Sequence, residues 1–384
     1  MSMPAAPNAH DWSSLRAQMP VTLRWAYFDH AAVAPLPRST RDAVIQWAES
    51  TAADGDVPWR SWDQHVQQVR TLAARLLGAE EDEIALLRNT TEGVNLVAHA
   101  FPWQPGDNVV YPADDFPTNR LPWQMLAERG VEPRAVPVRD GRLTLDAVAR
   151  CCDRRTRIVA VSWVHYATGW RNDLDALLEL CRRHGALLFV DAIQALGVLP
   201  LDVRRTPIDF LAADGHKWLL GPEGAAVCYI RREHLQHLRP LGLGWHSVLR
   251  HADYAQTDFQ LKPTAARYEG GTYPVPGFVG LRASLELLQR WPVEAIARRI
   301  DELIQQAAAD LRELGAVIVS EQSPERRSGI LAFDIPGHDP RQVKEHCLQR
   351  GVVLTARAGH VRISPHAYCN EDDLQRLVDA LRAL

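Results

Sequence analysis

Five short runs of apolar, β-branched and aromatic residues recur along the first part of the chain: NVVYP, RIVAVSWV, ALLFVDA, DFLAAD and AAVCYI. Between about Tyr27 and Ile230 they alternate with amphipathic stretches, the α/β signature of a mostly parallel sheet flanked by helices. One such stretch, DQHVQQVRTLAARLLG, places Val66, Val69, Leu72, Ala73 and Leu76 on one helical face and stops at Gly78. Another, DLDALLELCRRHG, stops likewise at Gly185.

After the Gly- and Pro-rich stretch YEGGTYPVPGF the pattern changes. A long helical periodicity runs from about Gly277, through the break RWP, to Leu314. It is followed by AVIVS, GILAFDI, a helix from Pro340 to Arg350, HVRIS and a last amphipathic helix from Glu371 to Leu384. This order predicts a large domain over 21–280 and a smaller α+β domain built from 1–20 and 281–384, joined by the helix around Ser284.

Composition narrows the class. The chain has 384 residues, 46% of them hydrophobic, enough to bury a substantial core. A net charge of -4, with arginines scattered among acids, gives no basic footprint for nucleic acid and makes a small molecule the expected partner. The first twenty residues lack the basic and apolar regions of a signal peptide, and no apolar run approaches the ~20 residues of a membrane span. These features predict a cytoplasmic protein. Cys151, Cys152, Cys181, Cys228, Cys347 and Cys369 form no C-x-x-C pair, so neither a metal site nor a disulfide framework is expected.

In an open parallel sheet, ligands bind at the carboxyl ends of the strands. Asp191 ends ALLFVDA, with Gln194 three residues on; the acid either caps a turn or faces a ligand that needs a negative partner. RNTTEGVNLVAHAF begins a helix at Thr90, Thr91 and Glu92, which reads equally as ordinary capping or as an anion site. Lys217, in AADGHKWLLGPEG, is one of three lysines in a chain with forty arginines. An isolated lysine is usually a solvated charge. Its company changes that reading, because an amine, a carboxylate after a buried strand and a threonine-rich helix start are what pyridoxal phosphate requires.

From YFDHAAVAPLP to the final helix the chain resembles the class V aminotransferase family, pyridoxal phosphate enzymes of fold type I. That family includes cysteine desulfurases, isopenicillin N epimerase-like proteins and carbon–sulfur lyases. VDAIQALG, DGHKWLLGPEG, YEGGT and VRISPHAYCNEDDLQRL carry the likeness. The resemblance implies Lys217 as the Schiff-base lysine and base, Asp191 as partner of the pyridine nitrogen, and Gln194 on the phenolic oxygen. It implies Thr90, Thr91 and His216 on the phosphate, with Thr272 reaching the phosphate of the neighbouring subunit in a homodimer with shared sites. Arg362, helped by Arg357, matches the arginine that binds the substrate carboxylate.

Three positions depart from the desulfurase pattern. Phe116 stands for the stacking histidine and loses its acid–base capacity, Tyr166 stands for an asparagine near the ring oxygen, and Asp214 stands for a phosphate-binding serine. Desulfurases that store sulfur on the protein also carry a cysteine segment between R-x-G-H and the carboxylate-binding arginine. Here RAGHVRIS joins the two directly. Cys369 reads as a substitution at the cap of the last helix, and Cys347 as packing.

The leading expectation is therefore an isopenicillin N epimerase-like enzyme that removes an amino acid's α-proton, with epimerase or lyase chemistry favoured. The alternatives are a cysteine desulfurase or carbon–sulfur lyase lacking a persulfide cysteine, an aminotransferase, and a non-catalytic binding or regulatory protein. The last would predict loss of Lys217 or Asp191. His30, Trp163, His165, Tyr273, His360 and His366 are candidate pocket residues.

Overall fold

Apolar runs that do not alternate fold as strands buried on both faces. In a computed structural model describing residues 11–255 and 258–384, β1 (Ala26–Tyr27) precedes the strands of a seven-stranded sheet. These are β2 (Ile84–Leu87), β3 (Asn108–Pro112), β4 (Glu132–Val136), β5 (Thr156–Ser162), β6 (Leu187–Asp191), β7 (Phe210–Asp214) and β8 (Ala226–Ile230). Their order is β2-β8-β7-β6-β5-β3-β4. β4, β3, β5, β6 and β7 run parallel, while β8 is antiparallel to both β7 and β2. The carboxyl ends of β2, β3, β5, β6 and β7 therefore share one edge.

The helices are α1 (Trp12–Ala17), α2 (Arg38–Asp54), α3 (Trp59–Leu77), α4 (Thr90–Ala100), α5 (Leu121–Gln124), α6 (Leu145–Cys151), α7 (Leu174–His184), α8 (Val275–Leu288), α9 (Val293–Glu313), α10 (Pro340–Gln349) and α11 (Glu371–Arg382). Successive strand residues feed two cores. Val159, Val161, Leu188 and Val190 pack on the side of α3 and α7. Ile158, Ala160, Phe189 and Ala212 pack on the side of α4. That helix lies close to β7 because Gly93 has no side chain: a Cβ there would stand 2.6 Å from the Ala212 Cβ.

The predicted 277–314 helix is two helices, α8 and α9, separated at the RWP break. Beyond them β9 (Val317–Ile318), β10 (Leu331–Asp334), β12 (Thr355–Arg357) and β13 (His360–Ile363) form an antiparallel sheet in the order β12-β13-β10-β9. β11 (Val352–Val353) pairs instead with β1, in parallel. The start of the described chain is thus sewn to its end. Arg16 makes a bidentate pair with Asp373, and buried His30 donates from Nδ1 to the Ser364 carbonyl at 2.8 Å. Residues 1–10, expected in the smaller domain, lie outside the described residues.

The sequence pattern misses β2 and β4. It also places the helix cap one residue early: the side chain of Asn370, not Cys369, accepts the Asp373 N–H at the start of α11. Cys369 is buried, with Sγ 3.5 Å from the Tyr27 carbonyl oxygen. No described helix is long and apolar enough to cross a membrane.

Candidate active site

Registers across the sheet set the site. Ser162 lies beside Asp191, Asp191 beside Ala212, and Asp214 beside Ala226, which also faces Leu87. The segments leaving these strand ends carry Thr90 and Thr91, Phe116, Tyr166, Gln194, His216 and Lys217. The structure brings these expected residues to one edge.

Lys217 stands in a tight turn after β7. The Gly221 N–H donates to the Gly215 carbonyl at 2.9 Å, and Leu220 takes a left-handed backbone at φ 56°. A non-glycine residue there costs about 1–2 kcal/mol, so the turn is held by its surroundings. Leu281 of α8 supplies part of the support: a Cβ on Gly215 or Gly221 would meet its Cδ1 at 2.9 Å. Lys217 Nζ lies 5.9 Å from the centroid of the Phe116 ring, a half-exposed ring whose edge meets Tyr166 at 5.4 Å.

Burial chiefly sets the charge state of the two central groups. It pulls the Lys217 ammonium down to about 8, with Asp191 opposing and the positive charges of Arg362 and Arg357 adding to the fall. It pushes the Asp191 carboxyl up to about 7, and the neighbouring charge of Asp115 raises it further. Among the described residues the one hydrogen bond to the Asp191 carboxylate is from the Ile193 N–H to Oδ1, at 3.1 Å. A buried carboxylate so poorly paired is poised for a cationic donor.

Asp115 itself was not read from the sequence. It is buried and saturated, accepting from the Ser162 Oγ at 2.7 Å, the Ser162 and Phe116 N–H groups, and the Asn119 side chain. It ties the β3 end to the β5 end and so positions Phe116.

At the α4 start, Asn89 caps the Glu92 N–H. The Thr90 Oγ1 is buried without a partner, while the Thr91 hydroxyl meets the Thr118 hydroxyl at 2.9 Å. The first amides of a helix have no intrahelical acceptor. His216 Nδ1 sits 3.0 Å from Asp214 Oδ1 but out of line for a hydrogen bond, which leaves both atoms unpaired. Gln194 donates to the Ala31 carbonyl and accepts from the Trp218 indole N–H, so one of its two amide hydrogens stays uncommitted.

Arg362 is buried; it donates to the Tyr166 carbonyl at 2.6 Å and pairs with Asp29 at 3.0 Å, while its Nε has no partner. Asp29 was also missed in the sequence. Arg357 is exposed and makes no hydrogen bond or ion pair among the described residues. It lies on the β12–β13 hairpin, whose tip is Ala358–Gly359. Thr272 is exposed and lines a separate cavity of about 460 Å³ with Arg88, Asn95 and Gly271. A cavity of about 770 Å³ between α3 and α9 contains none of the expected residues.

Several pocket candidates belong to packing networks. Tyr273 donates to Glu269, which also holds buried Arg70 in a bidentate pair and accepts the Leu86 N–H. His360 pairs with Asp334 at 2.9 Å. His30 accepts the Tyr368 hydroxyl on Nε2, and His366 donates from Nε2 to the Trp218 carbonyl.

Burial keeps both of these imidazoles neutral, His30 well below the usual value and His366 at about 4 against 6.5. The unfolded chain then binds more protons than the fold at intermediate pH. Their stabilising contribution is complete above pH ~6.5 and lost as pH falls toward ~4, of order 3 kcal/mol for His366. Urea midpoints of the holoenzyme should fall from pH 7 to pH 4.5, and His366→Phe should flatten that fall.

A family model for aminotransferase class-V matches residues 26–377. The chain belongs to this family. It is 33% identical over 364 residues to a cysteine desulfurase from Klebsiella pneumoniae, covering 90% of this chain and 87% of that protein. It is 29% identical over 392 residues to a probable cysteine desulfurase from Methanothermobacter thermautotrophicus, covering 96% and 97%. Among solved structures, an apo cysteine desulfurase from Thermococcus onnurineus superposes with a TM-score of 0.89 at 25% identity, covering 99% of this chain and 100% of that one. As a class-V family member the protein is a pyridoxal phosphate-dependent enzyme of fold type I.

The donor set of this class-V chain fits that cofactor. A primary amine faces a half-exposed aromatic ring, an underpaired buried carboxylate ends β6, and an orphaned threonine hydroxyl and an orphaned imidazole nitrogen stand near a helix start.

Proposed function

We propose that this enzyme is a lyase that breaks the Cβ–S bond of a sulfur-bearing amino acid without carrying the sulfur on a cysteine of its own. The observation behind the reading is the β12–β13 hairpin. Arg357 and Arg362 lie on two strands joined by a two-residue tip, with no cysteine on either strand. The six cysteines lie elsewhere. Cys181, Cys228, Cys347 and Cys369 are buried, and burial pushes all four thiols up, against formation of a reactive thiolate. Sulfur chemistry, rather than the epimerisation expected from the resemblance, is supported by relatives named as cysteine desulfurases at 29–33% identity.

Pyridoxal phosphate, when bound, supplies the electron sink that makes the α-proton acidic. In the proposed roles, Lys217 Nζ accepts that proton, helped by the burial that destabilises its ammonium. Asp191 holds a proton on the pyridine nitrogen. Gln194 and Tyr166 would serve the ring oxygen, Phe116 would cover one ring face, and Thr90, Thr91 and His216 would bind the phosphate. Arg362 and Arg357 orient the substrate carboxylate, and Thr272 serves the site of a second copy in a homodimer.

The test is incubation of holoenzyme in deuterated water with cysteine, its thioethers and its disulfide. Pyruvate is expected together with sulfide from cysteine, a thiol from the thioethers or a free small-molecule persulfide from the disulfide, and no persulfide on the protein. Deuterium at Cα of unconsumed substrate with inverted configuration, and no pyruvate, would replace the reading with epimerisation. A persulfide on any of the six cysteines would overturn the cysteine-independent route.

A further inference from the structure

Where the loops after β3 and β5 meet, three polar groups lack partners. His165 is nine-tenths buried. Its Nδ1 accepts the Thr168 N–H at 3.2 Å, which fixes the ring proton on Nε2, and that Nε2 is buried without a hydrogen bond. It stands 3.9 Å from Asp114 Oδ2, beyond hydrogen-bond reach, and Asp114 Oδ1 is itself buried and unpaired. Arg120, six residues further on, has a buried Nε with no partner, and its charge is felt at Asp114 although no ion pair forms. Buried polar atoms are normally satisfied within a fold. One acceptor and two donors left open at a single corner form a set complementary to a ligand bearing both charges.

The corner adjoins the reaction site. Asp114 precedes Asp115 and Phe116, and His165 precedes Tyr166. The His165 and Tyr166 rings lie 4.9 Å apart, Tyr166 and Phe116 5.4 Å, and the Phe116 ring 5.9 Å from Lys217 Nζ. The rings thus run in a line between the Lys217 amine and the polar corner. A substrate ending in a thiol carries no charged group to meet this corner, whereas a longer substituent on the same sulfur can carry one.

We propose that Asp114, His165 and Arg120 form a side-chain subsite for a second amino-acid head joined to the substrate through sulfur. Asp114 Oδ1 accepts from its ammonium, and His165 Nε2–H and Arg120 donate to its carboxylate. The inference rests on the carbon–sulfur lyase reading and specifies its substrate class: a thioether or disulfide of two amino acids. Such a substrate brings its own leaving group and needs no thiol on the enzyme, in keeping with the short β12–β13 hairpin.

The experiment measures pyruvate release by holoenzyme from four thioethers of L-cysteine that differ only in the far end: S-ethyl, S-(2-aminoethyl), S-(2-carboxyethyl), and lanthionine, which carries both charges. β-Chloroalanine serves as a substrate with no tail. kcat/KM should be highest for lanthionine. Asp114→Asn should lower it about 10- to 100-fold for the two ammonium-tailed substrates, and Arg120→Gln should do so for the two carboxylate-tailed ones. For S-ethylcysteine and β-chloroalanine the change should stay within about threefold. Equal losses across all substrates, or no preference for charged tails in the wild type, overturn the subsite while pyruvate from β-chloroalanine leaves the lyase reading standing. Absence of pyruvate from every substrate overturns both.

Discussion

Lys217→Ala should lower turnover by at least ~10³-fold and remove the visible absorption of the bound cofactor. The size of the effect follows from the amine inventory. The chain has two other lysines, Lys262 and Lys344, and neither adjoins the ends of β6 and β7. Lys262 is charge-coupled instead to Glu269 and Arg70. The forty arginines offer no substitute, since a guanidinium stays protonated and is not a nucleophile at accessible pH. Lys217→Arg should therefore be as inactive as the alanine variant despite retaining the charge. Borohydride reduction of the wild-type holoenzyme followed by peptide mapping should label Lys217. A label on Lys262 or Lys344, or full colour in Lys217→Ala, would refute the assignment.

The second large effect is on stability. Arg70→Ala should cost about 3–5 kcal/mol, read as a drop in the urea midpoint, because it strands a buried carboxylate. Arg70 and Glu269 are both under a tenth exposed and joined by two hydrogen bonds of 2.8 and 2.9 Å. The pair keeps the Glu269 carboxyl below its usual range despite full burial. Since its folded value is depressed, its contribution is present above pH ~4.5 and lost as pH falls further. Replacing both partners by methionine should recover only part of the loss: it removes the expensive burial of an ion pair but leaves the Leu86 N–H and the Tyr273 hydroxyl without their acceptor. A single variant as stable as the wild type would show that the carboxylate is not stranded by loss of Arg70.

Legibility in the sequence followed burial and chain distance. β3, β5, β6, β7 and β8 read clearly because sheet strands covered on both faces become unbroken apolar runs. β4, the edge strand EPRAV, is half-exposed and contains Pro133, so nothing distinguishes it from a loop. β2 is only four residues, too short to declare itself against helix. Lys217 and Asp191 were visible as polar residues ending or following such runs, and Thr90 as the start of an amphipathic helix. Asp115 was not, because DD after a proline looks like a turn and its partner Ser162 lies 47 positions away. The same limit hid Arg70–Glu269, 199 positions apart, and Asp29–Arg362, 333 apart. The vacant partners of Asp114, His165 and Arg120 are a property of three-dimensional placement alone.

The seam that sews β1 to β11 and His30 to Ser364 bears on how the molecule is made. During synthesis the chain emerges N-terminus first, and domains generally fold as units as they appear. The lysine turn and the seven-stranded sheet are complete by Ile230, yet Arg362 can meet its carbonyl and carboxylate partners only once β13 has been added. Residues 26–31 leave the ribosome well before residues 351–364, to which they pair, have been made. The lysine turn is thus in place long before the Arg362 side chain can reach the two groups that fix it.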